Sequence, residues 1–165
     1  MQNGQQKSSL WAQPPVAVQT DKKYSILIVD DNADLVNLSK IMLEMNGYEV
    51  FTALSGSQAL MILDEMNKPD LILLDMQMGD MPGPDFLNKL EINHPDIVES
   101  VPVVFLSGVN RVPESCAVGF MQKPVPMSLF LAAVERYIQQ GVVPVPLQYG
   151  GVRHLSLIRA AVNGH

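Results

Sequence analysis

The chain has 165 residues, enough for one domain of roughly 100–150 residues with short extensions. Its formal charge of −6 argues against a broad nucleic-acid-binding surface, which needs clustered Lys and Arg. No apolar run reaches the ~18 residues that span a bilayer, and residues 1–20 lack the apolar core of a secretory signal, so the expected setting is the cytoplasm without membrane contact.

Residues 1–22, rich in Gln, Ser and Pro and without apolar periodicity, are expected to form a flexible leader ahead of a domain over 23–140. Ile26-Leu27-Ile28-Val29 is a short continuous apolar run that stops at Asp30-Asp31, the pattern of a strand buried on both faces. Leu35, Leu38, Met42 and Met45 follow at helical spacing, with Asn32 or Asp31 as N-cap and Asn46-Gly47 as the stop. Residues 48–52 read as a second strand, and 55–66 as a helix with Ala59, Leu60, Leu63 and Met66 on one face. Leu71-Ile72-Leu73-Leu74 is a third strand ending in Asp75. A helix over 84–92 leads to Val103-Val104-Phe105-Leu106, a fourth strand ending in Ser107. Residues 118–121 form a short fifth strand before Lys123-Pro124, and 126–139 a last helix with Phe130, Val134, Tyr137 and Ile138 inward. The single cysteine, Cys116, cannot close a disulfide within the chain and reads as a small buried or loop residue. Five strand–helix alternations without a hairpin signal predict an α/β fold with a doubly wound, five-stranded parallel sheet.

In such a sheet the carboxyl ends of all strands share one edge. Asp30, Asp31, Asp75, Ser107 and Lys123 therefore converge on one mouth. Three neighbouring carboxylates repel, and a hard divalent cation with oxygen ligands resolves that repulsion; Mg2+ accepts one or two carboxylates, waters and a phosphate. Lys123 adds positive charge beside the central carboxylate. Asp75 can then act as a nucleophile toward a phosphoryl group, while metal and lysine neutralise the charge of the transferring group. Ser107 can donate a hydrogen bond to a bound phosphoryl oxygen. Each residue alone has an ordinary reading: helix capping for Asp30-Asp31, a turn for Ser107, a solvated charge for Lys123. Their joint placement at strand ends carries the functional one.

With these pieces in place, the chain resembles the receiver domain of bacterial response regulators, similar to the single-domain chemotaxis regulators and of flavodoxin-like fold. The matching pieces are Ile-Leu-Ile-Val-Asp-Asp at 26–31, Asp-Leu-Ile-Leu-Leu-Asp-Met-Gln-Met at 70–78, Phe-Leu-Ser-Gly at 105–108 and Phe-Met-Gln-Lys-Pro at 120–124. The resemblance implies that Asp75 accepts a phosphoryl group from a histidine kinase, a phosphotransfer protein or a small phosphodonor. It implies Mg2+ on Asp31, Asp75 and the Gln77 backbone carbonyl with Asp30 assisting, and phosphoryl oxygens on Ser107 and Lys123. Phe120 would be the switch aromatic that turns inward as Ser107 moves, Gly108 would leave room for the phosphate, and the Lys123-Pro124 bond would be cis. The protein would then catalyse only its own phosphoryl gain and loss, and signal by contact with a downstream protein.

Two features depart from the family pattern. Gly79 stands where the family usually has proline, with Pro82 and Pro84 later, so a more mobile loop is expected. Only residues 108–119 separate Ser107 from Phe120, near the lower limit for a parallel crossover, so the helix between the fourth and fifth strands is expected to be a single turn or absent. That helix contributes to the family's output and dimerisation face. In the tail, 141–165, Pro144 and Pro146 favour extension and Gly150-Gly151 a hinge. Residues 152–162 either fray or form a short helix aligning Leu155, Ile158 and Val162. Such a tail is expected to cover the surface left by the missing helix, in the same chain or in a homodimer mate. Two rival readings remain: a pseudo-receiver that binds partners without phosphorylation, and an aspartate-nucleophile phosphatase. The latter generally spaces two aspartates by one residue, whereas here they are adjacent.

Overall fold

The short apolar runs become strands, and the amphipathic segments between them become crossover helices. The computed structural model describes residues 22–109 and 117–142. Strands β1 (Ser25–Val29), β2 (Glu49–Ala53), β3 (Leu71–Asp75), β4 (Val103–Ser107) and β5 (Gly119–Gln122) form one sheet in the order β2-β1-β3-β4-β5, every pair parallel. Helices α1 (Ala33–Met45), α2 (Gly56–Glu65), α3 (Gly83–Asn93), α4 (Pro95–Ser100) and α5 (Met127–Gln140) cover it. The fold is the expected doubly wound one.

Alternation along the strands divides the core in two. Leu27, Val29, Ile72, Leu74, Val103 and Phe105 pack against α2, α3 and α4 through Ala59, Leu63, Phe86, Leu90 and Ile97. Ile26, Ile28, Leu71, Leu73, Val104 and Leu106 face the other way, against Val36 and Leu43 of α1 and Phe130, Val134 and Tyr137 of α5. Every residue of β3 and β4 is buried. A fully buried Leu, Ile or Phe stabilises the fold by roughly 1.5–3 kcal/mol, so these central strands make the firmest part of the molecule. Their carboxyl ends carry Asp75 and Ser107.

Local chemistry sets the helix ends. The Asn32 side chain accepts from the N–H groups of Asp34 and Leu35 and caps α1, while Ser55 accepts from Gln58 N–H and caps α2. Gly47 follows α1 with φ of +87°, the left-handed conformation expected there. The helix faces of α2 and α5 are those read from the sequence.

Two points differ. The apolar series of α1 is mostly outside: Leu35, Leu38 and Met45 are exposed, and burial falls to Val36 and Leu43, which lie on a different face of the helix. The segment between α3 and β4 contains the short helix α4, which the sequence reading passed over. Pro95 supplies its first residue, and the chain breaks at His94 because a residue before proline avoids helical dihedrals. The leader, the crossover centre with Cys116, where the helix was expected to be a single turn or absent, and the segment from 143 onward lie outside the described residues. Among the described residues no helix is long and apolar enough to cross a membrane.

At the amino edge of the sheet, Asp70 accepts from Ser25 N–H at 2.9 Å, from Ser25 Oγ at 3.3 Å and from Lys22 Nζ at 2.8 Å. Burial pushes its carboxyl up, but Lys22 and the Ser25 N–H outweigh that and hold it below its ordinary 3.8. A depressed folded-state pKa stabilises above the unfolded value and is lost as pH falls through the folded one. Asp70→Asn is therefore expected to cost roughly 1 kcal/mol at neutral pH. The difference in urea midpoints should shrink as the buffer is taken below pH 3.8.

Candidate functional site

The sheet brings the five predicted side-chain positions to its carboxyl edge. Asp75 is the last residue of β3, Ser107 the last of β4, and Asp30 and Asp31 directly follow β1. Lys123 follows β5, and its N–H donates to the Ser107 carbonyl at 2.7 Å, which clamps the β4 and β5 ends together.

Asp30 and Asp75 are almost wholly buried, whereas Asp31 is exposed. Each of the three offers a carboxylate oxygen, and these oxygens all lie within 4.8 Å of one another. Lys123 Nζ reaches Asp30 Oδ2 at 2.5 Å and Asp75 Oδ2 at 3.2 Å. One ammonium thus serves two buried carboxylates. Burial pushes the Asp75 carboxyl above its ordinary range; Gln77 N–H and Lys123 oppose the rise, and the Asp30 charge adds to it. The site is short of positive charge, and its donors are hard oxygens. That combination fits a divalent cation such as Mg2+.

The remaining oxygens are individually oriented. Asp30 Oδ1 accepts from Asn32 N–H at 2.9 Å, and Asp75 Oδ1 from Gln77 N–H at 3.1 Å. Gln77 thus joins the site through its backbone, two residues beyond Asp75. Ser107 Oγ donates to the Val109 carbonyl at 2.9 Å and accepts from Val109 N–H at 3.1 Å, so the hydroxyl is turned into its own loop. Among the described residues, a Cβ built on Gly108 would meet nothing within 4 Å. Phe120 is half-buried on β5, in register with Phe105. The Lys123-Pro124 peptide bond is cis, as the resemblance implied.

Two contributors escaped the sequence reading. Gly79 N–H donates to Asp31 Oδ2 at 2.9 Å, a bond that proline at this position could not make. Asp80 accepts from Gly56 N–H, Ser57 N–H and Ser57 Oγ at 3.0–3.1 Å, and so ties the loop after β3 to the start of α2. Burial works against the Asp80 charge, yet the Ser57 and Gly56 N–H groups hold its carboxyl below the usual range. The loop expected to be mobile is fastened at both residues. No local signal foretells either contact, because the partners lie 48 and 23–24 positions away in sequence.

The family profile of the response regulator receiver domain matches residues 26–135. The chain belongs to that family, and is a receiver domain of the two-component signalling class. It is 29% identical over 125 residues to the transcriptional regulatory protein GlrR of Escherichia coli, covering 72% of this chain and 27% of GlrR. The chain thus spans little more than a quarter of that relative. It is 26% identical over 118 residues to the polar-differentiation response regulator DivK of Brucella ovis, covering 69% of this chain and 95% of DivK. The crystal structure of the chemotaxis protein CheY4 of Vibrio cholerae superposes with a TM-score of 0.63 at 26% identity, over 69% of this chain and 98% of that one.

Proposed function

We propose that residues 23–140 form a phosphorylatable receiver in which Asp75 accepts a phosphoryl group and signals through protein–protein contact. The observation that carries this reading is Asp75 itself. It is a buried carboxylate at the end of the central strand, flanked by two more carboxylates and one shared ammonium.

In the proposed step, an oxygen of ionised Asp75 attacks phosphorus in line with the leaving group. A P–O bond to Asp75 forms as the donor's P–N bond breaks, or its P–O bond if the donor is an acyl phosphate, and the electron pair leaves with the donor. Asp31, Asp75 and the Gln77 carbonyl, with Asp30 assisting, would hold Mg2+, which would supply charge neutralisation for the phosphoryl oxygens. Lys123 moves from pairing Asp75 Oδ2 to pairing a phosphoryl oxygen, while it retains Asp30. Ser107 exchanges its Val109 contacts for the phosphoryl group. That exchange releases the loop after β4 and lets Phe120 on β5 turn inward. The phosphodonor is a histidine kinase or phosphotransfer protein, the recipient of the signal is a downstream protein, and the setting is the cytoplasm.

Amide NMR with Mg2+ and beryllofluoride tests the reading. Perturbations are expected at Gln77, Ser107, Val109, Phe120 and Lys123; an unchanged spectrum would favour a phosphorylation-independent interaction module.

Gly79 gives a more specific expectation. Its N–H orients the Asp31 carboxylate, and groups that orient metal ligands are typically worth 10–100-fold in affinity. Gly79→Pro removes the donor and is expected to weaken Mg2+ binding about tenfold by calorimetry. Gly79→Ala keeps the N–H, its Cβ would meet Asp31 Oδ2 at 3.7 Å, an ordinary van der Waals contact, and affinity should be unchanged.

A further inference from the structure

The loop between Asp75 and α3 orients two of the site's carboxylates with its backbone. Gln77 N–H donates to Asp75 Oδ1 at 3.1 Å, and Gly79 N–H donates to Asp31 Oδ2 at 2.9 Å. Asp75 is also held by burial and by Lys123. Asp31 is exposed, so the aim of its carboxylate depends on Gly79 N–H, and through it on where the loop sits.

The middle of that loop is seated from outside the site. Gly83 N–H closes the two ends onto each other by donating to the Met76 carbonyl at 3.0 Å. Asp80, the residue directly after Gly79, reaches instead to the start of α2. It accepts from Gly56 N–H at 3.1 Å, and from Ser57 N–H and Ser57 Oγ at 3.0 Å each. The first N–H groups of a helix have no partner within it, and the positive end of the helix favours a carboxylate there. Met81 adds packing to these bonds. It is buried, and its side chain occupies the space that a Cβ on Gly56 would need. Two consecutive residues thus fasten the loop to α2, immediately beside the one that orients Asp31.

We propose that Asp80 is a positioning residue for the metal site: by anchoring the loop to the start of α2, it holds Gly79 N–H where Asp31 is aimed at Asp30 and Asp75. On the receiver reading, on which this rests, Asp31 would be a Mg2+ ligand. The start of α2 and the acidic mouth are then linked, and linkage is reciprocal, so what steadies one steadies the other.

Calorimetry of Mg2+ binding to the full chain and its variants tests this. Asp80→Ala is expected to weaken Mg2+ binding about fivefold, the low end of ordinary coupling between separated groups. Ser55→Ala is the control. It removes the N-cap of the same helix, whose Oγ accepts from Gln58 N–H at 3.1 Å, and leaves the Asp80 bonds in place. Its affinity should match the wild type, which separates positioning from a general loss of helix stability. Asp80→Ala added to Gly79→Pro should bring no further loss, because the route through Gly79 N–H is already cut. Amide hydrogen exchange reads the opposite direction: Mg2+ should slow exchange at Gly56 and Ser57 in the wild type but not in Gly79→Pro. Wild-type affinity in Asp80→Ala, an equal loss in Ser55→Ala, or exchange at Gly56 and Ser57 that ignores Mg2+ would overturn the proposal and leave the receiver reading standing. A wild-type chain that binds no Mg2+ would overturn both.

Discussion

Asp75→Asn is expected to take up no phosphoryl group from a small acyl phosphate under conditions that load the wild type. The same variant should melt higher than wild type in metal-free buffer at neutral pH. Both outcomes follow from the state of one carboxylate. Burial pushes its pKa up, so the ionised form that performs the attack is also the form the fold tolerates less well. A raised folded-state pKa gives a contribution that is fully present below the unfolded value, near 3.8, and lost as pH rises through the folded value. At neutral pH the wild type therefore bears the whole penalty, and the amide bears none of it. Lys123 is not orphaned by the change, because Asp30 Oδ2 remains its partner. The expected gain is roughly 1 kcal/mol at neutral pH, shrinking as the buffer approaches pH 4. Saturating Mg2+ should reverse the order: at a hundredfold over its Kd a ligand stabilises by about 2.7 kcal/mol, and the wild type binds it better. Melting curves with and without Mg2+, at two pH values, read all of this.

Gly83→Ala is expected to be the most damaging single-methyl addition near the site. A Cβ there would lie 2.6 Å from the Asp75 carbonyl oxygen, 3.0 Å from Met76 Cα and 3.0 Å from Phe105 Cε1. Two of these are backbone atoms of the β3 end and its loop, which cannot swing aside. Gly83 N–H also donates to the Met76 carbonyl at 3.0 Å, so α3 starts in direct contact with the segment that carries Asp75. Overpacking of this kind costs roughly 1–3 kcal/mol, and relief by moving β3 would displace the Asp75 carboxylate. Gly56→Ala is the control. Its Cβ would meet Met81 Cγ at 2.7 Å, but that side chain is flexible and the cost should be smaller. Urea denaturation should give a clearly lower midpoint for Gly83→Ala than for Gly56→Ala; equal midpoints would mean that α3 yields more readily than its contacts indicate.

The sequence discloses those parts of this molecule that depend on short-range pattern. Ile26-Leu27-Ile28-Val29 and Leu71-Ile72-Leu73-Leu74 are apolar throughout because both faces of the parallel sheet are covered, and that alone fixes strand type and fold class. Once the sheet is parallel, Asp30, Asp75, Ser107 and Lys123 have to meet. Helix α1 shows where the pattern misleads. Two series coexist on it, Leu35-Leu38-Met42-Met45 and Val36-Leu43, and only the packing of neighbours decides that the shorter one is buried. Helix α4 was missed because it occupies six residues, too few for a periodicity to show. The bonds from Gly79 to Asp31 and from Asp80 to α2 are tertiary contacts between loops, and nothing in the local residue order marks them. Ser107 lay where expected, but its hydroxyl faces Val109, a rotamer choice that sequence does not encode.

The central claim is that Asp75 is the phosphoryl acceptor. Intact-protein mass spectrometry after incubation with Mg2+ and a small acyl phosphate, followed by reductive trapping and peptide mapping, tests it most directly. One added phosphoryl group is expected, located at Asp75, absent without Mg2+ and absent in Asp75→Asn. A wild-type chain that stays unmodified, or an adduct that persists in Asp75→Asn, would contradict it.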